Sequence, residues 1–593
     1  MHQRALRSRP RARSRPLSFA ADRRRAISRR RRRLAAGALA LCAAAVAIVV
    51  ALSLGSSGEV GAATHFAQSW SRGDYGAMYR QLTPAARRGI SPGAFAAAYR
   101  HAFRTATAER LAVAGKARAL TGSEVEVPMR VHTLLFGTIA ADLDVPVEES
   151  GGEARVAWSR ALTFPGLQPG ERLTRRTELP PRAPLLARDG STLASGPASA
   201  AGERTSPLGA AAGAVIGTVG PIPAQRRAAL EAQGVPGEAI VGTSGLELAL
   251  DDQLRGRAGG ELLAGSRVLA FAHPVAAAPV RTTISPAVQQ AAVTALGGHY
   301  GGVVAMDPST GEILGVAGIG LEGLQPPGST FKMVTVSGVL EAGVAHPSSV
   351  FPYATYSTLD GVQLNNANGE SCGGTLVEAF AVSCNSVFAP LGVKLGAPRL
   401  VGMAQRFGFN QPPGLPGAAE STLPKASAIQ GELAVGSTAI GQGQVQASAL
   451  EMGTIAATIG EGGLRPAPTF QAGGSAPPVS VLHDPTAREV RTMMIEVVRN
   501  GTGTAAAIPG VTVAGKTGTA ELGAPATCTP SKPAGAASSS CSTSSPENTD
   551  AWFAAFAPAI HPRIAVGVLM VRDGFGGESA APVAREVLEA GLR

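Results

Sequence analysis

Hydrophobic and polar positions alternate most regularly in the last part of the chain, residues 286–593. Two apolar runs, 302–307 and 312–317, flank Pro308-Ser309-Thr310-Gly311 and predict a strand–turn–strand hairpin. Further apolar runs predict strands at 511–514, 551–556 and 563–571, and helices are predicted at 329–340 and 583–592. Strands at both ends with helices between them favour one sheet covered by helices, an α/β or α+β sandwich.

The pattern upstream of this region indicates a small α+β unit at residues 58–168. A helical stretch comes first, punctuated by the aromatic residues Phe66, Trp70, Tyr75 and Tyr79. Alternation of apolar and polar residues then predicts strands at 124–131, 138–147 and 155–162.

The middle of the chain carries weaker signals. Residues 167–184 are rich in Pro and charge and predict a linker. Residues 172–285 predict a second region of Gly- and Ala-rich helical pieces, in which no structure is assigned to the low-complexity run 209–214. The Gly-, Ser- and Pro-rich segment 522–547 predicts a mobile loop.

The N terminus predicts a membrane anchor. Residues 1–33 form an Arg-rich tail that ends in five consecutive Arg, and residues 34–54 are 21 uncharged, mainly aliphatic residues. A helix of that length rises roughly 30 Å, the thickness of the hydrocarbon core of a bilayer. Because Arg-rich flanks stay in the cytoplasm, we expect a single-pass protein with its remaining residues outside the cell membrane. The alternative, a cleaved signal peptide, would have an apolar core longer than the usual roughly 7–15 residues.

Charge and cysteine content narrow the function further. Of the 53 Lys and Arg, 14 lie in residues 1–33, whereas only one of the 42 Asp and Glu does. The rest of the chain is therefore near neutral, which argues against a nucleic-acid-binding surface.

The four cysteines after the predicted anchor allow three disulfide pairings; the near-neighbour pairs Cys372–Cys384 and Cys528–Cys541 are favoured over free thiols. Neither a Cys-x-x-Cys nor a His-Glu-x-x-His spacing is present, so no metal or cofactor is predicted.

Three short motifs carry the candidate chemistry: Ser329-Thr330-Phe331-Lys332, Ser383-Cys384-Asn385 and Lys516-Thr517-Gly518-Thr519. Ser-x-x-Lys, Ser-x-Asn and Lys-Thr-Gly in this order form the set found in penicillin-binding proteins and β-lactamases. The chain has only six Lys, and two of them complete the only Ser-x-x-Lys and the only Lys-Thr-Gly. A single motif of this kind often occurs by chance on a solvent-exposed helix face. Three motifs in the expected order are much harder to explain by chance.

The first two motifs predict a serine nucleophile with a lysine base. Ser329 follows Pro-Pro-Gly and opens a predicted helix, so backbone N–H groups surround its hydroxyl. Lys332 lies one turn later on the same face and can act as the base if burial and a nearby cation, Lys516, lower its pKa. Ser383 would relay the proton to the leaving amine, and Asn385 would hold a substrate amide.

The third motif predicts substrate binding. It should end a strand that begins near Val511, where Gly518 would let a substrate backbone approach. Thr517 and Thr519 can bind a carboxylate beside the Lys516 charge. Backbone N–H groups of Ser329 and Thr519 would form an oxyanion hole, in which each donor contributes ~10²–10³ in rate.

At this point the chain resembles the class B penicillin-binding proteins, which are single-pass, extracytoplasmic D,D-transpeptidases. Beyond the three motifs, the resemblance rests on the hairpin sequence Met306 to Leu314, on Gly441-Gln442-Gly443, on Trp552-Phe553 and on Gly242-Thr243-Ser244-Gly245-Leu246-Glu247. Three departures are visible, and one is the short stretch 317–326. Arg182-Ala183 stands where the family often has Arg-Gly, and Ser448-Ala449-Leu450-Glu451 stands where it commonly has Thr-Pro-Leu-Gln.

The resemblance implies a domain order. A catalytic domain of the penicillin-binding or serine β-lactamase type at 286–593 would follow a dimerisation-type domain at 172–285. A cone-like α+β domain similar to nuclear transport factor would occupy residues 58–168. No segment similar to a glycosyltransferase is recognised, which argues against the bifunctional class A proteins.

The resemblance also implies substrates and partners. The donor would be a peptidoglycan stem peptide ending in D-Ala-D-Ala, and β-lactams would acylate Ser329. A glycosyltransferase of the division or elongation machinery would be the partner. The same motifs also serve D,D-carboxypeptidases, β-lactamases and β-lactam sensors, and a scaffold in cell-wall synthesis is a further alternative; the predicted anchor and the large non-catalytic regions favour the transpeptidase.

Overall fold

A computed structural model of the chain describes residues 58–120, 123–197, 204–474, 476–522 and 548–593. No helix within these ranges is both long and apolar enough to cross a membrane. The tail at 1–33, the anchor at 34–54 and the Cys528–Cys541 pair, which the sequence predicts, lie outside the described residues, as does most of the predicted loop at 522–547.

The described residues form two compact units. The first contains the residues up to Arg176 together with Glu261–Ala272, and the second contains Thr177–Gly260 and His273–Arg593. Residues 261–272 therefore cluster with the N-terminal unit, whereas the sequence groups them with 172–285.

The first unit combines four helices with an antiparallel sheet. The helices are Gly58–Ser71, Tyr75–Arg80, Pro84–Gly89 and Pro92–Thr105. The main strands, in sheet order, are Ala108–Val113, Glu124–Thr133, Gly137–Ser150 and Glu153–Val156, and the short Arg118–Ala119 pairs with Glu124–Thr133. The aromatic residues lie in or against the core, since Phe66, Trp70, Phe95 and Tyr99 are buried and Tyr75 and Tyr79 pack on them.

Two predictions in this part of the chain need correction. The predicted strand at 155–162 ends at Val156 and is followed by a 3-10 turn, Arg160–Thr163. The predicted linker at 167–184 contains the strand Leu173–Glu178, which forms a three-stranded sheet with Gly259–Ala264 and Arg267–Ala272. Its partners are distant in sequence, so pairing overrides a locally polar composition.

The second unit begins with small sheets and short helices. Strand Leu185–Leu186 pairs with Thr192–Ala194 and with Val280–Arg281, and Val219–Pro221 pairs with Ile240–Gly242. The helices are Ala210–Ile216, Ala224–Ala232, Gly245–Ala249 and Asp251–Arg255. The run 209–214, to which the sequence assigns no structure, contributes to helix Ala210–Ile216, because burial of Ala211, Ala212, Val215 and Ile216 gives it an apolar face to pack.

The centre of the second unit is a five-stranded antiparallel sheet, and the predicted sandwich is confirmed. Its strands, in sheet order, are Ile313–Gly318, Gly301–Met306, Ile564–Met570, Thr549–Ala557 and Ala514–Glu521. Nearly every residue of the three central strands is buried, as expected for a sheet covered on both faces. Helices Pro286–Leu296 and Ala581–Leu592 cover one face, and Ala449–Gly460 packs on the other.

Beyond that helix lies a mainly helical subdomain. Its helices are Lys332–Glu341, Leu376–Ala381, Asn385–Leu395, Ala397–Phe407, Glu432–Ala439 and Asp484–Asn500. This region also contains short antiparallel strand pairs: Val350–Ala354 with Cys372–Thr375, Tyr356–Leu359 with Val362–Asn365, and Leu464–Arg465 with Val479–Ser480. The cleft between this subdomain and the edge strand Ala514–Glu521 brings the three motifs together.

Candidate active site

Ser329 lies at the entrance to a helix. Gly328–Phe331 forms a 3-10 turn that leads directly into the α-helix Lys332–Glu341, and Ser329 is half-buried. Gly328 has a φ of +52°, and a Cβ there would lie 2.5 Å from the carbonyl oxygen of Thr519. Only glycine fits this close approach, which places Ser329 beside the third motif.

Lys332 is fully buried, and its amine faces the second motif. Its Nζ donates hydrogen bonds to the carbonyl oxygen of Ser383 at 2.6 Å and to Asn385 Oδ1 at 2.7 Å, and lies 3.3 Å from Ser383 Oγ. Burial, reinforced by the positive charge of Lys516, lowers the pKa of Lys332 well below its usual range. A neutral amine still supplies two N–H donors for the two acceptors and keeps its lone pair for a proton.

The predicted contact between Lys332 and Ser329 is not formed. Among the described residues, the hydrogen bonds of Lys332 Nζ run to Ser383 and Asn385, and Ser329 Oγ is not one of its partners. The 3-10 turn places the two residues three apart on one face, but the acceptors of the second motif hold the amine. Such contacts are often long without substrate and tighten in the reacting complex.

Lys516 approaches the same serine from the sheet. It lies on the edge strand Ala514–Glu521, and its Nζ donates to Ser383 Oγ at 2.9 Å and to the carbonyl oxygen of Thr517 at 2.9 Å. Burial lowers the pKa of Lys516 to about 7. The motif therefore lies in the middle of a strand that begins at Ala514, three residues later than the sequence predicts.

Ser383 links the two lysines. It lies between helices Leu376–Ala381 and Asn385–Leu395 with a φ of +63°, a left-handed conformation that costs a non-glycine residue of order 1–3 kcal/mol. The predicted disulfide Cys372–Cys384 is formed and ties the next residue to strand Cys372–Thr375. The fold thus holds Ser383 Oγ at one point between two amines.

The amide group of Asn385 is engaged inside the protein. Its Oδ1 accepts from Lys332, and its Nδ2 donates to the carbonyl oxygen of Asn365 at 2.9 Å. Asn385 therefore orients the lysine amine, and one N–H of its amide is left for a ligand.

The residues of the third motif have different environments. Thr517 is buried and Thr519 is half-buried. The carbonyl oxygen of Thr519 faces Gly328 and not the neighbouring strand. Since the N–H and C=O of one strand residue point to the same side, the Thr519 N–H lies on the unpaired edge next to Ser329. This agrees with the predicted oxyanion hole.

Gly518 serves the fold and not an approaching substrate. A Cβ there would lie 2.7 Å from the carbonyl oxygen of Pro327 and 2.8 Å from Cβ of Trp552. The sequence prediction for this residue needs correction, because protein backbone fills the space that was expected to admit a ligand.

Sequence reasoning gave no structural role to two supports of the site. The hydroxyl oxygens of Thr502 and Thr517 lie 2.5 Å apart, and Thr502 stands between two glycines that pack closely on neighbouring residues. Gly441, with a φ of +74°, accepts a hydrogen bond from the N–H of Gly328 at 2.9 Å and would clash if it carried a Cβ. The flanking glycines are the sequence signal at Thr502, and Gly441 belongs to the segment Gly441-Gln442-Gly443 on which the resemblance rests.

The assembled groups suit acyl transfer to serine. A hydroxyl at a helix entrance, a buried amine of lowered pKa, a relay hydroxyl and an edge-strand N–H are the parts that covalent serine catalysis needs. Within the described ranges, no group of three or more His, Cys, Asp or Glu side chains could hold a metal ion.

Comparison with protein families gives three matches along the chain. Residues 301–589 match the penicillin-binding protein transpeptidase domain. Residues 198–266 match the penicillin-binding protein dimerisation domain, and residues 60–171 match the nuclear-transport-factor-like N-terminal transpeptidase domain.

Similar proteins and structures agree with these matches. The chain is 33% identical to the peptidoglycan D,D-transpeptidase PbpA of Mycolicibacterium smegmatis over 419 residues, which cover 59% of this chain and 80% of that protein. A D,D-transpeptidase domain from Eggerthella lenta is 30% identical, with a TM-score of 0.53 over 69% of this chain and 98% of the other. Penicillin-binding protein A of Mycobacterium tuberculosis, solved as a penicillin G acyl-enzyme complex, is 28% identical with a TM-score of 0.53 over 70% of this chain and 100% of the other.

Proposed function

The chain belongs to the penicillin-binding protein transpeptidases, and we propose that it cross-links peptidoglycan stem peptides as a serine-type D,D-transpeptidase. The observation that carries the mechanism is the convergence of two buried lysine amines on one hydroxyl, Ser383 Oγ, beside a serine at a helix entrance. In water a lysine amine is protonated at neutral pH and cannot serve as a base. Burial lowers the pKa of both amines, so a neutral lysine is available as a base.

The first step acylates Ser329. Neutral Lys332 takes the proton of Ser329 Oγ, and the oxygen attacks the carbonyl carbon of the penultimate D-Ala of the donor. The N–H groups of Ser329 and Thr519 stabilise the negative charge on the carbonyl oxygen. The C–N bond to the terminal D-Ala then breaks, and its nitrogen receives a proton through Ser383, which lies within 3.3 Å of Lys332 and 2.9 Å of Lys516.

The second step transfers the acyl group. The amine of a second stem peptide attacks the ester carbonyl and gives up a proton to the same lysine–serine relay. The ester C–O bond then breaks, and the relay returns the proton to Ser329 Oγ. The net result is one peptide bond exchanged for another, with no cofactor required. Water in place of the amine would give a carboxypeptidase.

The terminal carboxylate of the donor would lie against the third motif. Thr517 and Thr519 offer hydroxyl groups there, and protonated Lys516 supplies a positive charge next to them. A charge-assisted hydrogen bond of this kind contributes about 1.5–3 kcal/mol.

We place the catalytic unit outside the cell membrane. The support is the uncharged segment 34–54 after five consecutive Arg, which is typical of a single-pass anchor with a cytoplasmic N terminus. A glycosyltransferase that makes glycan strands at the same membrane surface would be the natural partner of this enzyme.

A labelled penicillin tests the acylation step. The full-length chain is incubated with the label and mapped by mass spectrometry, with Ser329→Ala as the test variant and Ser348→Ala, an exposed serine, as the control. We expect the adduct on Ser329 in the wild type and the control, and no adduct in Ser329→Ala. An unlabelled wild type, or a label retained by Ser329→Ala, would overturn the assignment.

Product analysis separates the transpeptidase from its alternatives. With a D-Ala-D-Ala donor and a D-amino acid acceptor, the exchanged peptide should exceed the hydrolysed one. A predominance of hydrolysis would make the protein a carboxypeptidase. If Ser329→Ala supported growth as well as the wild type, the protein would act chiefly as a scaffold.

A further inference from the structure

Thr502 lies between the second and third motifs, on a backbone that the fold holds tightly. Its N–H donates to the carbonyl oxygen of Ala381, two residues before Ser383, at 3.1 Å. A Cβ on Gly501 would clash with that same oxygen, and a Cβ on Gly577 would clash with the carbonyl oxygen of Thr502. The position of Thr502 is therefore fixed on both sides by close backbone contacts.

The hydroxyl of Thr502 ends a row of polar contacts that begins at Ser383. Lys516 Nζ donates to Ser383 Oγ at 2.9 Å and lies 3.4 Å from Thr517 Oγ1. Thr517 Oγ1 in turn lies 2.5 Å from Thr502 Oγ1. Because hydrogen bonds in a row polarise one another, the amine of Lys516 strengthens the donor at the far end.

The two threonine hydroxyls share two protons, and the contact between them uses one. Thr517 is only 5% exposed and has the Lys516 amine on its other side, whereas Thr502 is exposed to solvent. Among the described residues, the other acceptor of the Thr502 hydroxyl is the carbonyl oxygen of Ala381 at 3.5 Å, the limit of a hydrogen bond. The second proton is therefore best placed on Thr502, where a ligand can accept it.

The proposed function, on which this inference rests, brings such a ligand to this place. In the proposed reaction Ser383 passes a proton to the nitrogen of the leaving D-Ala. The carboxylate carbon of that D-Ala is two bonds away from the nitrogen, a distance of roughly 2.5 Å. The carboxylate must therefore lie close to Ser383, in the part of the cleft that Thr517 and Thr502 line.

We propose that Thr502 donates a hydrogen bond to the terminal carboxylate of the donor peptide and so selects donors whose C terminus is free. Thr517 transmits the charge of Lys516 to this donor through the short contact between the two hydroxyls. A hydrogen bond to a charged acceptor is stronger than one to a neutral acceptor, so an amidated C terminus gains less from Thr502.

Two donor peptides test this role in the full-length chain. One ends in D-Ala-D-Ala with a free carboxylate, and the other is its C-terminal amide. Exchange with a D-amino acid acceptor gives kcat/KM for each at about pH 6, where Lys516 is charged. In Thr502→Val, which keeps the shape and removes the hydroxyl, the ratio of kcat/KM for the free donor to that for the amide should fall by about tenfold. Thr502→Ala should give the same fall.

Conservative and distant variants separate selectivity from structure. Thr502→Ser keeps a hydroxyl and should hold the ratio within about threefold of the wild-type value. Thr504→Val, at an exposed threonine two residues away, is the matched control and should leave the ratio unchanged.

The outcomes also distinguish this inference from the proposed function. Equal losses for both donors in Thr502→Val and Thr502→Ala would make Thr502 a structural residue, and an unchanged ratio would remove it from the carboxylate site. Either result leaves a working transpeptidase and overturns this inference alone. A wild type that exchanges neither donor would overturn the proposed function, and this inference with it.

Discussion

Two places in the second unit bury positive charge, and they do so in opposite ways. Between residues 182 and 255, four arginines surround two carboxylates that are almost fully buried, Glu247 and Asp251. In the active site, Lys332 and Lys516 are fully buried, and no carboxylate of the described residues pairs with either.

The arginine cluster keeps its charges. Arg182 Nε lies 2.6 Å from Glu247 Oε2 and its Nη1 lies 2.7 Å from Asp251 Oδ1, while Arg204 Nη1 lies 2.8 Å from Glu247 Oε1. Burial alone would raise the pKa of Asp251, but the N–H of Gly242 and the neighbouring arginines outweigh burial and lower it. Because each carboxylate pairs with at least two arginines, this cluster fastens the segments that carry it.

The lysine pair has no counter-ion among the described residues. Its partners are hydroxyl, carbonyl and amide oxygens, which cannot compensate a full positive charge as a carboxylate does. The pKa values of both amines fall, and the site gains a base. Burial without a counter-ion therefore marks chemistry here, whereas burial with one marks structure.

The largest expected effect is the loss of acylation in Lys332→Met. Without the base, the rate of acylation by penicillin should fall about 10³-fold, within the usual range for positioned proton transfer. The midpoint of thermal unfolding should stay or rise, since methionine fills the space without a buried amine. The measurements are label incorporation over time and calorimetry.

Lys394→Met is the matched control, because Lys394 is exposed on helix Asn385–Leu395. It should change neither quantity. If Lys332→Met lowered stability strongly while acylation continued, the lysine would be a structural group and the contrast with the arginine cluster would fail.

Glu247→Gln should lower stability and leave acylation unchanged, the opposite of the result expected for Lys332→Met. It leaves Arg204 without its carboxylate partner and Arg182 with Asp251 alone, and breaking such a buried pair costs about 3–5 kcal/mol in stability. The acylation rate of the folded protein should be unchanged. Denaturant unfolding and labelling kinetics on one preparation measure both effects.

Asp252→Asn controls for charge at the rim of the same cluster. Asp252 pairs with Arg255, but its side chain is 75% exposed, so the loss should be about 1 kcal/mol or less. Equal losses for Asp252→Asn and Glu247→Gln would contradict the role assigned to burial.

Local signals explain what the sequence could predict. The hairpin around Pro308-Ser309-Thr310-Gly311 and the start of a helix at Ser329 depend on neighbouring residues, and both are found within one or two positions. Lys332, Ser383 and Lys516 also lie together as predicted, because the three short motifs in this order are typical of one shared site.

Contacts between distant segments explain the rest. The backbone of Ser383 turns into a left-handed conformation because two helices and a disulfide converge there, and no pattern in its neighbours indicates this. Gly518 was expected to admit substrate, but it faces Pro327, almost 200 residues away in the chain. The lysine amine likewise contacts the second motif and not Ser329, because the stronger acceptors lie there.

The smallest expected effect is a change with pH in the preference for a donor with a free C-terminal carboxylate. Burial lowers the pKa of Lys516 to about 7, so its amine is charged below that pH and neutral above it. The charge attracts the carboxylate of a D-Ala-D-Ala donor but contributes little to a donor amidated at its C terminus. The ratio of kcat/KM for the two donors should therefore fall by about tenfold as pH rises through 7, while the titration of Lys332 cancels in the ratio. In Lys516→Gln the ratio should be low and independent of pH. A wild-type ratio that stayed constant between pH 6 and 9 would mean that Lys516 keeps its proton, as the paired arginines keep their charges.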